Sequence, residues 1–167
     1  MNLLAVGFNH TTTPVAMRER LAVPHDELGR SLQALVEEAK LEEAMLLSTC
    51  NRTEIYAVRK DGGGPDEVTG TLARMRGVGF DDVRPHAFAR HHVDAALHIF
   101  RVAASLESIV VGEPQILGQV KEAYQAARDA GTMGSTLDHI VPPAPSASDG
   151  HRAARGQLGS DAQIMNR

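Results

Sequence analysis

The sequence predicts an α+β fold, with a ferredoxin-like split βαβ sheet and its helices followed by a helical segment. Residues 3–90 read as elements in the order β-α-α-β-β-α-β, and only the letters "CNR" separate the two middle strands, which is typical of a hairpin. Beyond them the apolar residues recur at helical spacing. The chain has 167 residues, 43% of them hydrophobic, which is enough for one domain with a core.

Four short apolar runs are the predicted strands. The first, "LLAVGF", is short and almost uniformly apolar, as expected of a mostly buried strand. Two more flank the predicted hairpin, and the last follows the third helix. The four strands are predicted at residues 3–8, 43–49, 53–58 and 83–90.

Three helices connect these strands. A proline stands at or just before the start of the first two, and the second helix carries leucines at the helical spacing of positions 28, 32 and 35. The third ends at Gly77, because glycine suits the left-handed backbone that often follows a helix. The three helices are predicted at residues 14–21, 25–40 and 67–77.

Two further helices are predicted after the sheet. In the first, four apolar residues fall on one stripe, the expected packing face, and His98 and Arg101 lie off it. The stripe consists of Val93, Leu97, Phe100 and Ala104. The pattern breaks at residues 112–114, and the second helix is predicted from about Gly118 to Gly131.

The last part of the chain differs in composition from the rest. It has three prolines within four positions, many small polar residues and no apolar period. Such a segment buries too little apolar surface to offset the entropy lost on ordering it. We therefore predict one domain over residues 1–137 and a disordered or aberrant tail over residues 138–167.

Charge and composition exclude several classes of protein. A net charge of -4 argues against a general nucleic-acid-binding surface, so any RNA contact has to be local. The N-terminal letters "MNLLAVGFNH" contain no basic region, and their apolar run stops at Phe8, which indicates a strand and neither a signal peptide nor a membrane span. A single cysteine excludes an intrachain disulfide and suits a reducing compartment. Together these observations predict a cytoplasmic protein with no membrane segment.

The single cysteine, Cys50, stands where the chain leaves one predicted strand and turns toward the next. A cysteine at a strand end is often just a small buried hydrophobe. Thr49, Asn51 and Arg52 instead surround it with polar groups at a turn, and such an exposed, electropositive setting favours a thiolate that attacks a carbonyl. Both interpretations remain open from the residues alone.

Two other candidates also have alternatives. Arg52 is either a solvated surface charge or a bidentate clamp for a substrate carboxylate. A metal site built from His10, Cys50 and His98 is disfavoured, because no pair of them has the spacing of zinc ligands. No metal site is therefore expected.

Three separated segments resemble the signature motifs of the N-terminal catalytic domain of glutamyl-tRNA reductase. They read "GFNHTTTPVAMRERL", "LLSTCNRTEIYAV" and "HIFRVAASLESIVVGEPQILGQVKEAYQAA". Their order and spacing agree with that family, and the resemblance covers residues 1 to about 137. Three motifs in the same order are far more specific than any one of them alone.

The resemblance implies thioester chemistry at Cys50. In that family the cysteine attacks the ester carbonyl of glutamyl-tRNA, releases the tRNA and holds glutamate as a thioester. NADPH then reduces the thioester to glutamate-1-semialdehyde for tetrapyrrole (porphyrin) biosynthesis. His98 matches the family histidine that assists acid–base chemistry beside the cysteine, although the residues alone equally suit a histidine bordering a core helix.

The resemblance also assigns a substrate pocket. The residues it assigns to substrate binding are Thr49, Arg52, Ser108, Glu113, Gln115, Asn9 and His10. Judged without the resemblance, Glu113 and Gln115 are equally consistent with capping the helix that follows them. The family also implies glutamyl-tRNA as a partner and glutamate-1-semialdehyde aminotransferase as a second one.

Two departures from the family pattern limit what the resemblance implies. Ser105 replaces a family glycine, so a positive φ at that position would be strained. The similarity also stops before the family's nucleotide-binding domain and dimerisation helix, so we expect no NADPH site in this sequence, an esterase activity without reduction, and a monomer. Two alternatives to this enzyme remain: a non-catalytic module that binds glutamyl-tRNA or a partner protein, and a structural domain with a core cysteine.

Overall fold

The computed structural model describes residues 2–60, 63–107, 109 and 115–141. Their strands form a four-stranded antiparallel sheet in the order β2-β3-β1-β4. The strands are β1 (Asn2–Asn9), β2 (Glu43–Ser48), β3 (Arg52–Arg59) and β4 (Phe88–His91). This is the strand order of a split βαβ sheet, so the predicted α+β, ferredoxin-like fold is confirmed.

The register of the sheet places the end of β1 beside the start of β3. β1 pairs with β3 along its whole length, so that Asn9 lies opposite Arg52. β2 and β3 form the predicted hairpin. Gly7 in β1 lies opposite both Glu54 in β3 and Phe88 in β4. A Cβ atom on Gly7 would lie 2.3 Å from the carbonyl oxygen of Thr53, so the close approach of these strands requires glycine.

The helices pack around this sheet. The first and third predicted helices appear close to their predicted positions, as α1 and α3. The second predicted helix begins as a 3₁₀ turn, His25–Glu27, and continues as α2. The helices are α1 (Val15–Leu21), α2 (Leu28–Glu38), α3 (Pro65–Met75), α4 (Phe80–Val83), α5 (His92–Ala103), α6 (Gln115–Asp129) and α7 (Ser135–Ile140). Leucines of α2 are buried in the core as their spacing predicts, at positions 28, 32 and 35.

The last predicted strand is only half right. Residues 83–86 are helical, in the end of α4 and a 3₁₀ turn (Arg84–His86), and the strand itself covers only Phe88–His91. Pro85 lies at the start of the 3₁₀ turn, where its missing N–H costs nothing, whereas in a strand the missing donor would break the ladder. Val83 is buried as part of a helix, so its apolar character does not mark a strand.

The structure reverses the predicted packing face of α5. Val93, Leu97 and Phe100 are 70%, 53% and 47% exposed, whereas His98 is buried together with Ile99. α5 lies against β1 through a face of alanine, histidine, isoleucine and valine, which has the same helical period but fewer large apolar side chains. The prediction was wrong because it placed the largest apolar side chains of α5 against the sheet. The face that packs there includes alanine and histidine as well as isoleucine and valine.

The C-terminal helices also differ from the prediction. α6 begins at Gln115, three residues before Gly118, and a Cβ atom on Gly118 would meet nothing within 4 Å. The unpredicted helix α7 crosses the predicted domain boundary after residue 137, and Val141 beyond it is buried. The buried carboxylate of Glu43 accepts hydrogen bonds from two backbone N–H groups at the start of α7. The rest of the predicted tail, residues 142–167, lies outside the described residues.

Among the described residues, four helices end in the same left-handed turn. Gly77 and Gly131 have φ values of 64° and 71°, and Lys40 and Ser105 have φ values of 52° and 60°. After Ser105, the N–H of Leu106 donates to the carbonyl of Arg101 at 2.8 Å, the pattern of a Schellman motif. Ser105 therefore has a positive φ, the conformation that the sequence analysis describes as strained for a residue other than glycine.

Within the part of the chain that the structure describes, no helix is both long and apolar enough to cross a membrane.

Candidate active site

Strand β3 presents three polar side chains on its inner face. Arg52, Glu54 and Tyr56 alternate along the strand, and all three are almost fully buried. Nη1 of Arg52 donates to Oε1 of Glu54 at 3.1 Å, and the hydroxyl of Tyr56 donates to Oε2 at 2.5 Å. Burial and the adjacent carboxylate of Glu54 raise the pKa of Tyr56 well above its ordinary value, so its hydroxyl keeps its proton.

His98 from α5 completes this buried network. Its Nε2 atom lies 3.0 Å from Oε2 of Glu54, and its ring centroid lies 5.0 Å from that of Phe88. Because a carboxylate only accepts hydrogen bonds, Nε2 is the ring nitrogen that carries a proton. His98 therefore does more than border a core helix: Glu54 holds it in one orientation against β3.

Glu54 is the site residue that the sequence analysis missed. It belongs to the quoted motif around Cys50, but it falls within a predicted strand and was counted only as part of that strand. The alternation of Arg52, Glu54 and Tyr56 along the predicted strand could have indicated a role for Glu54. Three polar residues on one face of a strand require partners if both faces are buried, and here they supply them to each other.

Cys50 lies in the β2–β3 hairpin turn, and its side chain is exposed. The N–H of Thr49 donates to the carbonyl of Arg52 at 2.7 Å, and the N–H of Asn51 donates to Oγ1 of Thr49 at 3.2 Å. These bonds close the turn and project the cysteine from it. The interpretation of Cys50 as a buried core residue is therefore wrong.

Cys50 lines a small cavity of about 40 Å³ between the hairpin turn and the start of α6. Its walls come from Thr49, Cys50, Asn51, Arg52, Gln115, Ile116 and Gln119. Three of the predicted substrate-binding residues thus surround the cysteine: Thr49, Arg52 and Gln115. α6 supplies the polar wall because it begins at Gln115, earlier than the sequence predicted.

A larger cleft of about 680 Å³ lies between the end of β1, β4 and α5. Asn9, His98, Arg101 and Glu107 are among the residues that line it. The side-chain oxygen of Asn9 accepts hydrogen bonds from the N–H groups of the next loop, at 3.0 and 3.2 Å. Asn9 therefore both borders the cleft and shapes the loop that follows β1.

Arg52 connects the two cavities. It lines the small one, and its Nη2 atom donates to the backbone carbonyl of Glu107, which lines the large one. Only 2% of the Arg52 side chain is exposed, so the interpretation of a solvated surface charge is wrong. Cys50 and His98 lie in different cavities, and the structure does not place the two predicted catalytic side chains side by side.

His10 lies close to the same arginine. Its Nδ1 atom is buried and has no hydrogen-bond partner among the residues that the structure describes. Burial, followed by the positive charges of Arg52 and Arg18, lowers the pKa of His10 below 6.5, so the ring is neutral at pH 7. The two other predicted pocket residues, Ser108 and Glu113, lie outside the described residues.

Comparison with known proteins identifies the family. A family model described as the glutamyl-tRNA(Glu) reductase N-terminal domain matches residues 6–153. Glutamyl-tRNA reductase of Halorhodospira halophila is 47% identical over 84% of this chain and 31% of that protein, and that of Methylococcus capsulatus is 44% identical over 84% and 33%. The solved structure of glutamyl-tRNA reductase from Methanopyrus kandleri matches with a TM-score of 0.66 and 34% identity over 83% of this chain. The chain belongs to the glutamyl-tRNA reductase family.

This member of the glutamyl-tRNA reductase family spans about a third of the length of the relatives it matches, 31–33% for the two named above. The match to the family model runs past the predicted domain boundary at residue 137, and that boundary stays a prediction. Within the described residues, no group of three histidine, cysteine, aspartate or glutamate side chains could hold a metal ion.

The start of helix α3 in this glutamyl-tRNA reductase domain does not fit the phosphates of a nicotinamide dinucleotide. Within the described residues it is the passage most like a phosphate loop, because Gly63 and Gly64 directly precede the helix. Arg59 donates to the Glu67 carboxylate at 2.5 Å there, and a Cβ atom on Gly63 would lie 1.8 Å from the Arg59 guanidinium. The protein's own ion pair thus occupies the start of the helix, and its carboxylate would repel a phosphate.

Proposed function

We propose that this chain carries the acyl-transfer site of a glutamyl-tRNA reductase, with Cys50 as the nucleophile. The thiolate sulfur attacks the carbonyl carbon of the ester that joins glutamate to the tRNA. The bond from that carbon to the terminal ribose oxygen breaks, the ribose hydroxyl leaves with a proton, and glutamate remains as a thioester on Cys50. The observation that carries this proposal is an exposed cysteine in a polar turn next to the buried Arg52–Glu54–His98 network.

The geometry suits an activated substrate. An aminoacyl ester needs a positioned nucleophile and a polarised carbonyl more than it needs a strong base. The hairpin hydrogen bonds fix the position of Cys50, and the guanidinium of Arg52 provides positive charge in the wall of the same cavity. The separation of Cys50 from His98 is therefore compatible with acyl transfer.

His98 is the acid–base residue of the proposal. Glu54 engages Nε2, so a proton exchanged with the substrate would pass through Nδ1 of a ring that lines the larger cleft. In this arrangement Nδ1 takes up the proton that the Cys50 thiol loses and then gives it to the leaving ribose oxygen. Glu54 holds the ring in the wall of the larger cleft.

The glutamyl group would lie across Arg52. Thr49 and Gln115 contribute polar groups to the cavity of Cys50. Asn9 pairs with Arg52 in the sheet and lines the larger cleft, and His10 lies close enough to Arg52 to feel its charge. Ser108 and Glu113 complete the set that the family resemblance implies. Neutral His10 adds no charge of its own near Arg52 and Arg18, and Glu54 already pairs with Arg52.

Reduction belongs to the whole enzyme in this proposal. Semialdehyde formation requires hydride from NADPH, and no step of it is assigned to the residues described above. In a polypeptide of these 167 residues, water attacks the thioester, the carbon–sulfur bond breaks, and free glutamate and the thiol are formed. We therefore expect esterase activity toward glutamyl-tRNA without semialdehyde.

The biological setting follows from the same proposal. It places the chain in tetrapyrrole biosynthesis, in the cytoplasm, with glutamyl-tRNA as substrate and glutamate-1-semialdehyde aminotransferase as the partner that takes the whole enzyme's product. The 167-residue polypeptide is proposed to be a monomer.

One observation favours a second candidate, a module that binds glutamyl-tRNA without chemistry. The charge of Arg52 is already paired with Glu54, and His98 does not share a cavity with Cys50. The discharge of glutamyl-tRNA by the wild type and by Cys50→Ser separates the two candidates. Cysteine-dependent release of glutamate supports the enzyme, and binding with equal, slow release by both proteins supports the module.

A further inference from the structure

The turn after α5 contacts Arg52 through a nitrogen other than the one that binds Glu54. The backbone carbonyl of Glu107 accepts a hydrogen bond from Nη2 of Arg52. Glu107 lies just after α5, two residues beyond the left-handed Ser105. The orientation of the buried guanidinium thus depends on where this turn places one carbonyl group.

Two contacts fix that turn to α5. The carbonyl of Arg101 accepts from the N–H of Leu106 at 2.8 Å, and the side-chain Nε of Arg101 lies 2.7 Å from Oε1 of Glu107. Arg101 therefore binds the turn through its backbone and its side chain together. It follows His98 by three positions on the same helix and lines the same cleft.

The Arg101–Glu107 ion pair contributes little to folding stability. Arg101 is 61% exposed and Glu107 is 33% exposed, and solvent screens a pair of this kind strongly. A pair with little effect on stability can still select one direction for the Glu107 carbonyl. Misplacement of a substrate-binding group by a small distance has a large effect on transfer.

We propose that Arg101 and Glu107 are positioning residues that hold Arg52 in its substrate-binding orientation. The pair fixes the turn after α5, the turn fixes the Glu107 carbonyl, and the carbonyl fixes Nη2 of Arg52. Neither side chain touches the reacting atoms in this scheme. The inference rests on the proposed function, in which Arg52 holds the glutamyl group.

The first test is a double-mutant cycle on glutamyl-tRNA discharge. Arg101→Gln, Glu107→Gln and the double variant should each raise KM by about the same factor, on the order of tenfold, because all three break one coupling. kcat should change much less, and Arg101→Lys, which keeps a cationic donor, should recover most of the loss. Losses that multiply in the double variant would show that the two side chains act separately and would overturn the inference.

The second test does not depend on activity. In nitrogen-15 NMR spectra, the Nη groups of Arg52 should give separate signals in the wild type, because its hydrogen bonds to Glu54 and Glu107 slow rotation of the guanidinium. The signals should merge in Arg101→Gln and Glu107→Gln while the melting temperature stays the same. Unchanged Arg52 signals in both variants would refute the positioning role. A wild type that fails to discharge glutamyl-tRNA but shows this NMR response would refute only the proposed function.

Discussion

Nε2 of His98 lies 3.0 Å from Oε2 of Glu54, and this contact joins helix α5 to strand β3 within the core. The same carboxylate accepts from Arg52 and from Tyr56. One buried glutamate thus binds an arginine, a tyrosine and a histidine that come from two elements. Cys50 lies two residues before Arg52, so the network also supports the turn that carries the cysteine.

Removal of the Glu54 charge should be costly. We expect Glu54→Gln to lower the free energy of unfolding by about 3–5 kcal/mol, because Arg52 then stays buried without its paired carboxylate. Glu38→Gln breaks the exposed pair with Arg74 and should cost less than about 1 kcal/mol. Urea titration of both variants measures the difference. Similar small losses in the two would show that Glu54 does not organise the network.

Gly7 should tolerate no side chain. Gly7→Ala places a Cβ atom 2.3 Å from the backbone oxygen of Thr53, so we expect a loss of about 3 kcal/mol or more and a displaced β3. Gly29 in α2 is the matched control, since a Cβ atom there meets nothing within 4 Å. Gly29→Ala should stabilise the protein by about 0.5–1 kcal/mol. Equal effects of the two substitutions in thermal denaturation would contradict the close strand pairing.

The left-handed turn at Ser105 should be improved by glycine. With φ at 60°, Ser105→Gly should raise the free energy of unfolding by about 1 kcal/mol, because glycine adopts this conformation without strain. Lys40→Gly relieves the same strain in a turn remote from the site and should give a similar gain. Calorimetry of both variants is the measurement. A gain for Lys40→Gly with a loss for Ser105→Gly would show that the serine side chain outweighs its backbone strain.

His10 should make folding sensitive to mild acid. Its pKa is lowered by burial and then by Arg52 and Arg18, so below about pH 6.5 the unfolded chain binds more protons at this residue than the folded one does. The free energy of unfolding should therefore fall as the pH drops from about 6.5, and His10→Gln should flatten that fall. Arg18→Gln, which removes one of the two cations, should flatten it in part. Denaturation midpoints that change with pH identically in wild type and His10→Gln would contradict the assignment.

The sequence predicted the elements best where the apolar residues followed a single periodicity. The hairpin around "CNR" and the leucines of α2 were predictable, because a short break between strands and a helical spacing each have one structural solution. The packing face of α5 was not, because two faces share the same period and only contact with the sheet decides between Ile99 and Leu97. The start of β4 was predicted too early, because Pro85 lies in a 3₁₀ turn and the strand begins only after that turn.

The candidate site was predictable in composition and not in arrangement. The motif marked Cys50 and Arg52, but exposure of the cysteine and burial of the arginine depend on the hairpin turn. Glu54 escaped notice because its role comes from contacts with His98, 44 positions away in the chain. The hydrogen bond from Arg52 to the carbonyl of Glu107 could not be predicted either, because it depends on the turn after α5.

Transfer of the glutamyl group from tRNA to Cys50 should leave a covalent adduct that can be detected. The most direct measurement is mass spectrometry of the acid-quenched protein after brief incubation with glutamyl-tRNA, with Cys50→Ser as the control. We predict one glutamyl group in thioester linkage to Cys50 in the wild type, released by hydroxylamine, and none in the variant. A wild-type protein that discharges glutamyl-tRNA at the same rate as Cys50→Ser and never carries the adduct would contradict this account.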